Sequence, residues 1–334
     1  MTDQPGPRVA DLSEDGLLAR IFPHLPQGPR TLVGPGDDAA VVTAPDGRFV
    51  VTTDVLVEDR HFRRAWSSGD DVGQRAAVQN LADVASMGAV PTSLVVALVV
   101  PGDLPADWVE GLARGFGDAC RPHGVDVVGG DLSGGPLVVV SVTAHGDLEG
   151  RAPVLRSGAC AGDVVAHAGA CGTSAAGWAA LAAGRPELDP DAVDAFRRPS
   201  SPLHAGPLAA TSGATAMLDV SDGLLRDAGR LARASRVVVD LDDPATGRPD
   251  GLARDVARVR PTAERLGVDP LAWVLGGGED HGLLATFPPD VEPPAPFRRI
   301  GVVRAAAGDA GDAPRVLVGG RVPDVAPGWD HFAG

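Results

Sequence analysis

The chain repeatedly builds a short apolar run and breaks it with glycine or an acidic residue. It does so at Val50-Val51-Thr52-Thr53-Asp54, at Val125 to Val128 before Gly129-Gly130-Asp131, and at Met217-Leu218-Asp219-Val220-Ser221-Asp222-Gly223. A fourth station, Leu275-Gly276-Gly277-Gly278-Glu279-Asp280-His281, leads into the apolar run Gly282 to Phe287. Runs of this length and β-branched content read as strands, and the segments between several of them carry helical spacing. The pattern predicts a mixed α/β (α+β) chain whose polar groups cluster at strand ends, where open α/β sheets present their ligand groups.

Composition narrows the chemistry. With 334 residues and 44% hydrophobic content the chain is long enough for two domains. A formal net charge of -15 argues against a nucleic-acid surface or an anionic membrane, both of which need a basic face. Cys120, Cys160 and Cys171 form no CxxC pair, which fits a reducing compartment and offers no zinc site. Met1 to Arg8 is polar and Pro-rich, without the pattern of a signal or transit peptide, and no apolar run is long enough to span a bilayer; the expected location is the cytoplasm. The sequence contains no lysine, so all 29 basic residues are arginines. That removes a P-loop lysine and a protein-kinase strand lysine together. Counter-charge for any nucleotide phosphate has to come from metals and a few arginines.

Along the chain, Ser13 is placed to cap a helix running to Phe22, and Gly34-Pro35-Gly36-Asp37-Asp38-Ala39-Ala40 is a turn delivering paired carboxylates. Asp70 to Met87 reads as a helix with a small apolar face, on which Asn80 and Asp83 lie three apart. A carboxylate among such neighbours is costly to bury unless it is paired or coordinates a metal. Leu94 to Val100, Val125 to Val128 and Leu137 to Thr143 are strands around a helix at Ala106 to Arg121. The Gly- and Ala-rich stretch Gly146 to Gly162 marks the boundary between domains 1–147 and 148–334. Two aromatics and a histidine in Gly328-Trp329-Asp330-His331-Phe332 suggest a docked tail.

Each acidic station has a plain alternative. The Gly-Gly-Asp at Asp131 could be a hairpin turn, and Ser221 or Asp222 could cap the helix that Gly223 opens. Together, Asp38, Asp54, Asp83, Asp131, Asp219, Asp222 and Glu279, with hydroxyls from Thr52, Thr53 and Ser221, make an all-oxygen donor set. Magnesium is typically held by a few carboxylates together with substrate phosphates, so a carboxylate-rich, lysine-free site reads as a metal-bridged phosphate site.

The motifs resemble those of thiamine-monophosphate kinase, within the superfamily of aminoimidazole ribonucleotide synthetase. The resemblance is carried, in order and over nearly the whole chain, by Gly36-Asp37-Asp38-Ala39-Ala40, Thr53-Asp54 through His61-Phe62, Asn80-Leu81-Ala82-Asp83, Met87-Gly88-Ala89, Gly129-Gly130-Asp131, Asp219-Val220-Ser221-Asp222-Gly223-Leu224, Gly277-Gly278-Glu279-Asp280 and Asp330-His331-Phe332. It implies a fold of two α/β domains like that of aminoimidazole ribonucleotide synthetase, with the first domain pairing into a homodimer. It further implies ATP-dependent phosphorylation of thiamine monophosphate to thiamine diphosphate, with ATP as co-substrate and several Mg2+ ions. By resemblance Asp38, Thr52, Thr53, Asp54, Asp83, Asp131, Asp219 and Asp222 are magnesium ligands. Gly130, Asp131, Arg156 and Ser221 then contact ATP, and His61, Glu279 and Trp329 face the thiamine monophosphate.

Two departures stand out. His281 sits where the family commonly has tyrosine, and the loop after Asp131 reads Leu132-Ser133-Gly134-Gly135 instead of a threonine-rich form with an arginine. The alternatives are another ATP-using member of the superfamily, or a non-catalytic binder of thiamine phosphates or nucleotides. The reactive N-terminal cysteine of a selenophosphate synthetase and the C-terminal cysteine of a hydrogenase-maturation protein are not present, and lost metal ligands would mark a non-catalytic binder.

Overall fold

The structure is a computed structural model that describes residues 6–33, 41–306 and 315–329. Asp38 with its acidic turn, and Asp330-His331-Phe332, lie outside the described residues. The chain divides into two compact units, Met1–Val84 with Pro91–Glu149, and Ala85–Val90 with Gly150–Gly334.

The first unit contains α1 (Glu14–Ile21), β1 (Thr31–Val33), β2 (Val41–Val42), β3 (Val50–Val57), most of α2 (Gly69–Ser86) and β4 (Val90–Val100), α3 (Ala106–Cys120), β5 (Asp126–Gly134) and β6 (Val139–Asp147). Ser13 caps α1 as its sequence position predicts, its hydroxyl accepting from Gly16 N–H at 3.1 Å. Four strands form one sheet in the order β3-β6-β4-β5, with β3 antiparallel to β6 and β4 parallel to β5. Leu56, alternating with Val55 on β3, is buried, whereas Val55 is 45% and Val51 56% exposed. One face of β3 is therefore packed and the other open.

The second unit is built on a six-stranded sheet in the order β12-β9-β11-β7-β10-β8. Its strands are β7 (Val164–Ala168), β8 (Ala216–Val220), β9 (Val237–Leu241), β10 (Gly282–Phe287), β11 (Arg298–Ala305) and β12 (Arg315–Val318). Its helices are α4 (Thr173–Ala182), α5 (Pro190–Arg197), α6 (Ala205–Thr211), α7 (Leu224–Ser235), α8 (Leu252–Leu266) and α9 (Pro270–Gly276). Alternation sorts the strand side chains into two layers. Val165, Leu218 and Leu284 join a core with residues of α7, α8 and α9, while Ala166, Met217 and Leu283 join another with residues of α6. Only β12 runs parallel to its neighbour, β9; the pairs of β7, β8, β9, β10 and β11 are antiparallel.

Several element ends differ from the sequence reading. Thr52, Thr53 and Asp54 fall in the middle of β3, because pairing with β6 continues from Val50↔Gly146 to Val57↔Val139. Gly130 and Asp131 lie within β5, whose parallel register with β4 pairs Val96 with Gly130 and Ala97 with Asp131. At Gly130 a Cβ would collide with the Val96 carbonyl oxygen, so this close strand contact admits only glycine.

Candidate functional site

On the first unit the acidic station is built by β3 against α2. The strand's two-residue period turns Thr52 and Asp54 toward the helix side and Thr53 to the other face. Thr52 Oγ1 donates to Asp83 Oδ2 at 2.9 Å, while Thr53 Oγ1 donates to the Val142 carbonyl at 2.9 Å. The adjacent hydroxyls of the sequence motif are thus split between faces, and only Thr52 joins Asp83. Asn80, fully buried on α2, accepts from Asp54 N–H at 3.1 Å and donates from its Nδ2 to Ala76 O at 2.9 Å. That pair of bonds fixes the strand's height against the helix, so the half-buried Asp83 and exposed Asp54 are displayed on a rigid frame.

Asp131 and Gly130 are not brought to this station within the unit's sheet. They lie on β5, the opposite edge from β3, three strand spacings or roughly 14 Å away along the sheet. Asp131 is exposed, and Ser133 Oγ donates to its Oδ2 at 3.4 Å. His61 follows β3, and its Nδ1 accepts from Val57 N–H at 2.9 Å. An imidazole held that way carries its proton on Nε2 when neutral.

On the second unit Asp219 is buried in β8, and Ser221 and Asp222 form the turn into α7. Neither caps the helix: Gly223, with φ of +114°, occupies that position without a side-chain cap. The turn is held by Asp227, whose Oδ2 accepts from Ser221 N–H and Asp222 N–H, both at 3.0 Å. Arg230 pairs with Asp227 and also donates to Asp222 Oδ2 at 2.6 Å. Burial, and next the charge on Asp219, push the Asp227 carboxyl up to about 7 against the opposing pull of Arg230.

Main chain crowds the same turn from three sides. A Cβ on Gly278 would collide with Ser221 O, one on Gly328 with Asp222 O, and one on Gly223 would come within 2.7 Å of Gly276 O. Glu279 takes a left-handed conformation, φ +71°, that directs its N–H to Ser221 O at 2.7 Å. Its Oε2 lies 3.5 Å from Nε2 of the buried His281. Asp280 is buried and accepts from Gly172 N–H at 2.5 Å and Ser174 N–H at 2.8 Å; burial raises its pKa to about 6, the hydrogen bonds opposing. The main-chain N–H of Trp329 donates to Asp222 O at 2.9 Å and the residue is 55% exposed, so the chain at 328–329 lies against this turn; the rest of the expected docked tail, His331 and Phe332, lies outside the described residues. Arg156 is exposed in the loop before β7, and its carbonyl accepts from Ser235 Oγ at 2.7 Å.

Sequence reasoning singled out Asp219, Ser221 and Asp222 but missed Asp227 and Arg230. The available signal was a carboxylate five residues beyond Asp222 in the first turn of a helix whose cap position is glycine. The donors offered by Thr52, Asp54 and Asp83, and by Asp219 and Asp222, are all hard oxygen. Among the described residues no three His, Cys, Asp or Glu side chains converge on a ready-made cage. Sparse carboxylates suit magnesium, which completes its shell with water and phosphate oxygens.

Fold and stations define an aminoimidazole ribonucleotide synthetase-like chain: the family described as AIR synthase related protein, N-terminal domain, matches residues 36–148. Thiamine-monophosphate kinase of Mycobacterium tuberculosis is 45% identical over 329 residues, covering 98% of this chain and 93% of that one. Among solved structures, AaThiL complexed with AMPPCP and TMP matches with a TM-score of 0.75 at 28% identity, covering 97% of this chain and 99% of that one. Thiamine-monophosphate kinase from Stenotrophomonas maltophilia K279a matches at 0.74 and 28%, over 92% and 96%. The chain belongs to the thiamine-monophosphate kinase family.

Proposed function

We propose that the protein transfers the γ-phosphoryl group of ATP to the phosphate of thiamine monophosphate, giving thiamine diphosphate and ADP. The observation that carries this reading is the near-full-length likeness to the mycobacterial kinase, joined to the same fold seen in complex with an ATP analogue and TMP. The acceptor is a phosphate oxygen, already largely ionised near neutral pH, so the reaction needs alignment and charge neutralisation more than a general base.

The side chains suit that division of labour. With Nδ1 accepting from Val57 N–H, the neutral His61 carries its proton on Nε2, and the residue is assigned to facing the thiamine monophosphate. Glu279, held in its left-handed conformation, presents a carboxylate to the cationic thiazolium, and the exposed Trp329 ring adds an aromatic wall. Gly130, Asp131, Arg156 and Ser221 are assigned to ATP. Magnesium would be held by Thr52, Asp54 and Asp83 on the first unit and by Asp219 and Asp222 on the second, with Asp38, Thr53 and Asp131 completing the set implied by resemblance. The metal supplies neutralisation of phosphate charge that this lysine-free chain cannot supply with ammonium groups. Arg230 keeps the Asp222 carboxylate in a fixed position.

The first domain, 1–147, is assigned to ATP, magnesium and dimerisation, and the second, 148–334, to completing the phosphate and substrate site. The open face of β3, with Val51 and Val55 more than two-fifths exposed, supports pairing with a second copy. Sedimentation of the wild type as a monomer at micromolar concentration would remove the dimer from this proposal.

The assay supplies ATP and magnesium with thiamine monophosphate, free thiamine or an aminoimidazole ribonucleotide precursor, and follows the diphosphate product. Turnover of the monophosphate alone is expected. Phosphorylation of free thiamine without activity on its monophosphate would overturn the assignment.

A further inference from the structure

A chain with a formal net charge of -15 is a poor place to find a basic cavity. The second unit nonetheless has one, about 630 Å3 in volume, with Arg254, Arg258 and Arg298 in its lining. Arg254 and Arg258 project from successive turns of α8, and Arg298 opens β11. Two of the three are tied down. Arg258 donates to Asp189 at 2.8 and 3.0 Å, and Arg298 donates to Asp255 at 2.7 and 3.1 Å and to Gly169 O at 2.8 Å.

The Arg254 side chain is exposed and, among the described residues, makes no hydrogen bond or ion pair. The carboxylate it senses electrostatically, Asp255, is already claimed by Arg298. Asp255 is paired with Arg298 and Asp189 with Arg258, which Asp191 also faces, so Arg254 is the guanidinium of the lining whose side chain enters no ion pair among the described residues. The lining also includes His204 and Ser201, and Ser201 Oγ is buried without a hydrogen-bond partner among the described residues. A polar atom left that way marks a place where a ligand or water completes the set.

We propose that this cavity binds a phosphate-bearing anion, with Arg254 as its charged anchor, at a place that Asp219, Asp222 and Glu279 do not line. A guanidinium whose side-chain donors are unspent matches a phosphate edge bidentately. The volume admits a phosphomonoester or diphosphate of metabolite size. One loop joins the cavity to the proposed substrate residues: Gly169 and Thr173 line the cavity, Gly172 and Ser174 N–H groups bind Asp280, and Ser174 Oγ donates to Glu279 O at 2.9 Å.

The two kinds of phosphate site separate in chelator. A carboxylate station repels phosphate once divalent cations are removed, whereas an arginine cavity does not. The test titrates the full chain with inorganic phosphate and then diphosphate in EDTA, at ionic strength matched with chloride, by calorimetry and thermal shift. Saturable binding is expected for the wild type and for Asp54→Asn. In Arg254→Glu it should be about tenfold weaker or more, the scale of one charge-assisted hydrogen bond. The unliganded melting temperature should shift only slightly, since the Arg254 side chain is exposed and makes no hydrogen bond, the added like charge beside Asp255 being its one cost; His204→Ala is the second variant, expected to weaken binding to a smaller degree. Binding no stronger than chloride, or undiminished in Arg254→Glu, would overturn the proposal. Loss in Asp54→Asn would overturn it as well, by moving the anion to the acidic station. None of these readouts requires turnover, so the outcome stands apart from the proposed activity.

Discussion

Replacing Asp227 with alanine tests whether the Asp219–Asp222 turn is held from behind. The carboxylate is fully buried and accepts two main-chain N–H groups at 3.0 Å, while Arg230 bridges it to Asp222. Hydrogen bonds to a charged group contribute roughly 1.5–3 kcal/mol each, and breaking a buried ion pair by removing one partner costs roughly 3–5 kcal/mol. These overlap rather than add, and Arg230 keeps Asp222 as a partner with about a third of its side chain exposed. With its pKa pushed up to about 7 the Asp227 carboxyl is only partly ionised at neutral pH, so the ion-pair figure does not apply in full, and the expected loss is about 2 kcal/mol, that of two main-chain N–H groups left without an acceptor. Urea unfolding followed by far-ultraviolet circular dichroism reads it as a lower midpoint at unchanged slope. Below the transition, turnover with ATP and thiamine monophosphate should fall and require more magnesium, because Asp219 and Asp222 lose their fixed spacing. Asp227→Asn keeps a carbonyl oxygen for the N–H groups but turns a donor toward Arg230, so its loss should be intermediate. An alanine variant within about 0.5 kcal/mol of wild type, with unaltered magnesium dependence, would refute the reasoning.

Other perturbations have equally definite outcomes. Asp54→Asn should lower turnover by ~10²–10³-fold, as losing a group that stabilises developing charge does, while the melting temperature of this exposed position hardly moves; near-normal kinetics would count against the metal assignment. Gly278→Ala should cost ~1–3 kcal/mol in urea unfolding, because its methyl meets the Ser221 carbonyl, and a neutral result would mean the turn yields easily. His167 is fully buried, and burial lowers its pKa to about 3, with Arg298 adding to the effect. A depressed folded-state pKa means the unfolded chain binds more protons, so stability falls as pH drops from the ordinary value of 6.5 toward 3, by on the order of 4 kcal/mol. His167→Gln should flatten that slope in unfolding measured between those limits.

The stations were legible in sequence because their chemistry is local: glycine, aspartate and hydroxyl residues beside apolar runs. Strand ends were less so. Thr52 to Asp54 and Gly130-Asp131 look terminal by composition, yet cross-strand pairing carries β3 to Val57 and β5 to Gly134, and pairing is a non-local property. The face of Thr53 depended on that register, since continuing the strand puts its hydroxyl opposite Thr52. Asp227 escaped because its function is to reach backward in the chain, where an acidic residue early in a helix ordinarily signals only the helix dipole. The arginine cavity escaped for a similar reason: Gly169, Ser201, Arg254 and Arg298 are distant in sequence and meet only once β7, α8 and β11 are in place.

The three glycines around Ser221 and Asp222 also set a timetable. Gly223, Gly278 and Gly328 come from segments some fifty residues apart, and each admits its neighbour's main chain where a side chain would not fit. During vectorial synthesis the Asp219–Asp222 segment emerges about a hundred residues ahead of Gly328, and its surroundings are not complete until residue 328 has been added. A prematurely terminated chain ending short of Gly328 would hold Asp219 and Asp222 yet lack the last wall of their turn. Interrupted translation would then yield chains without this turn in its finished form, and their fate would be a matter for proteolysis instead of metabolism.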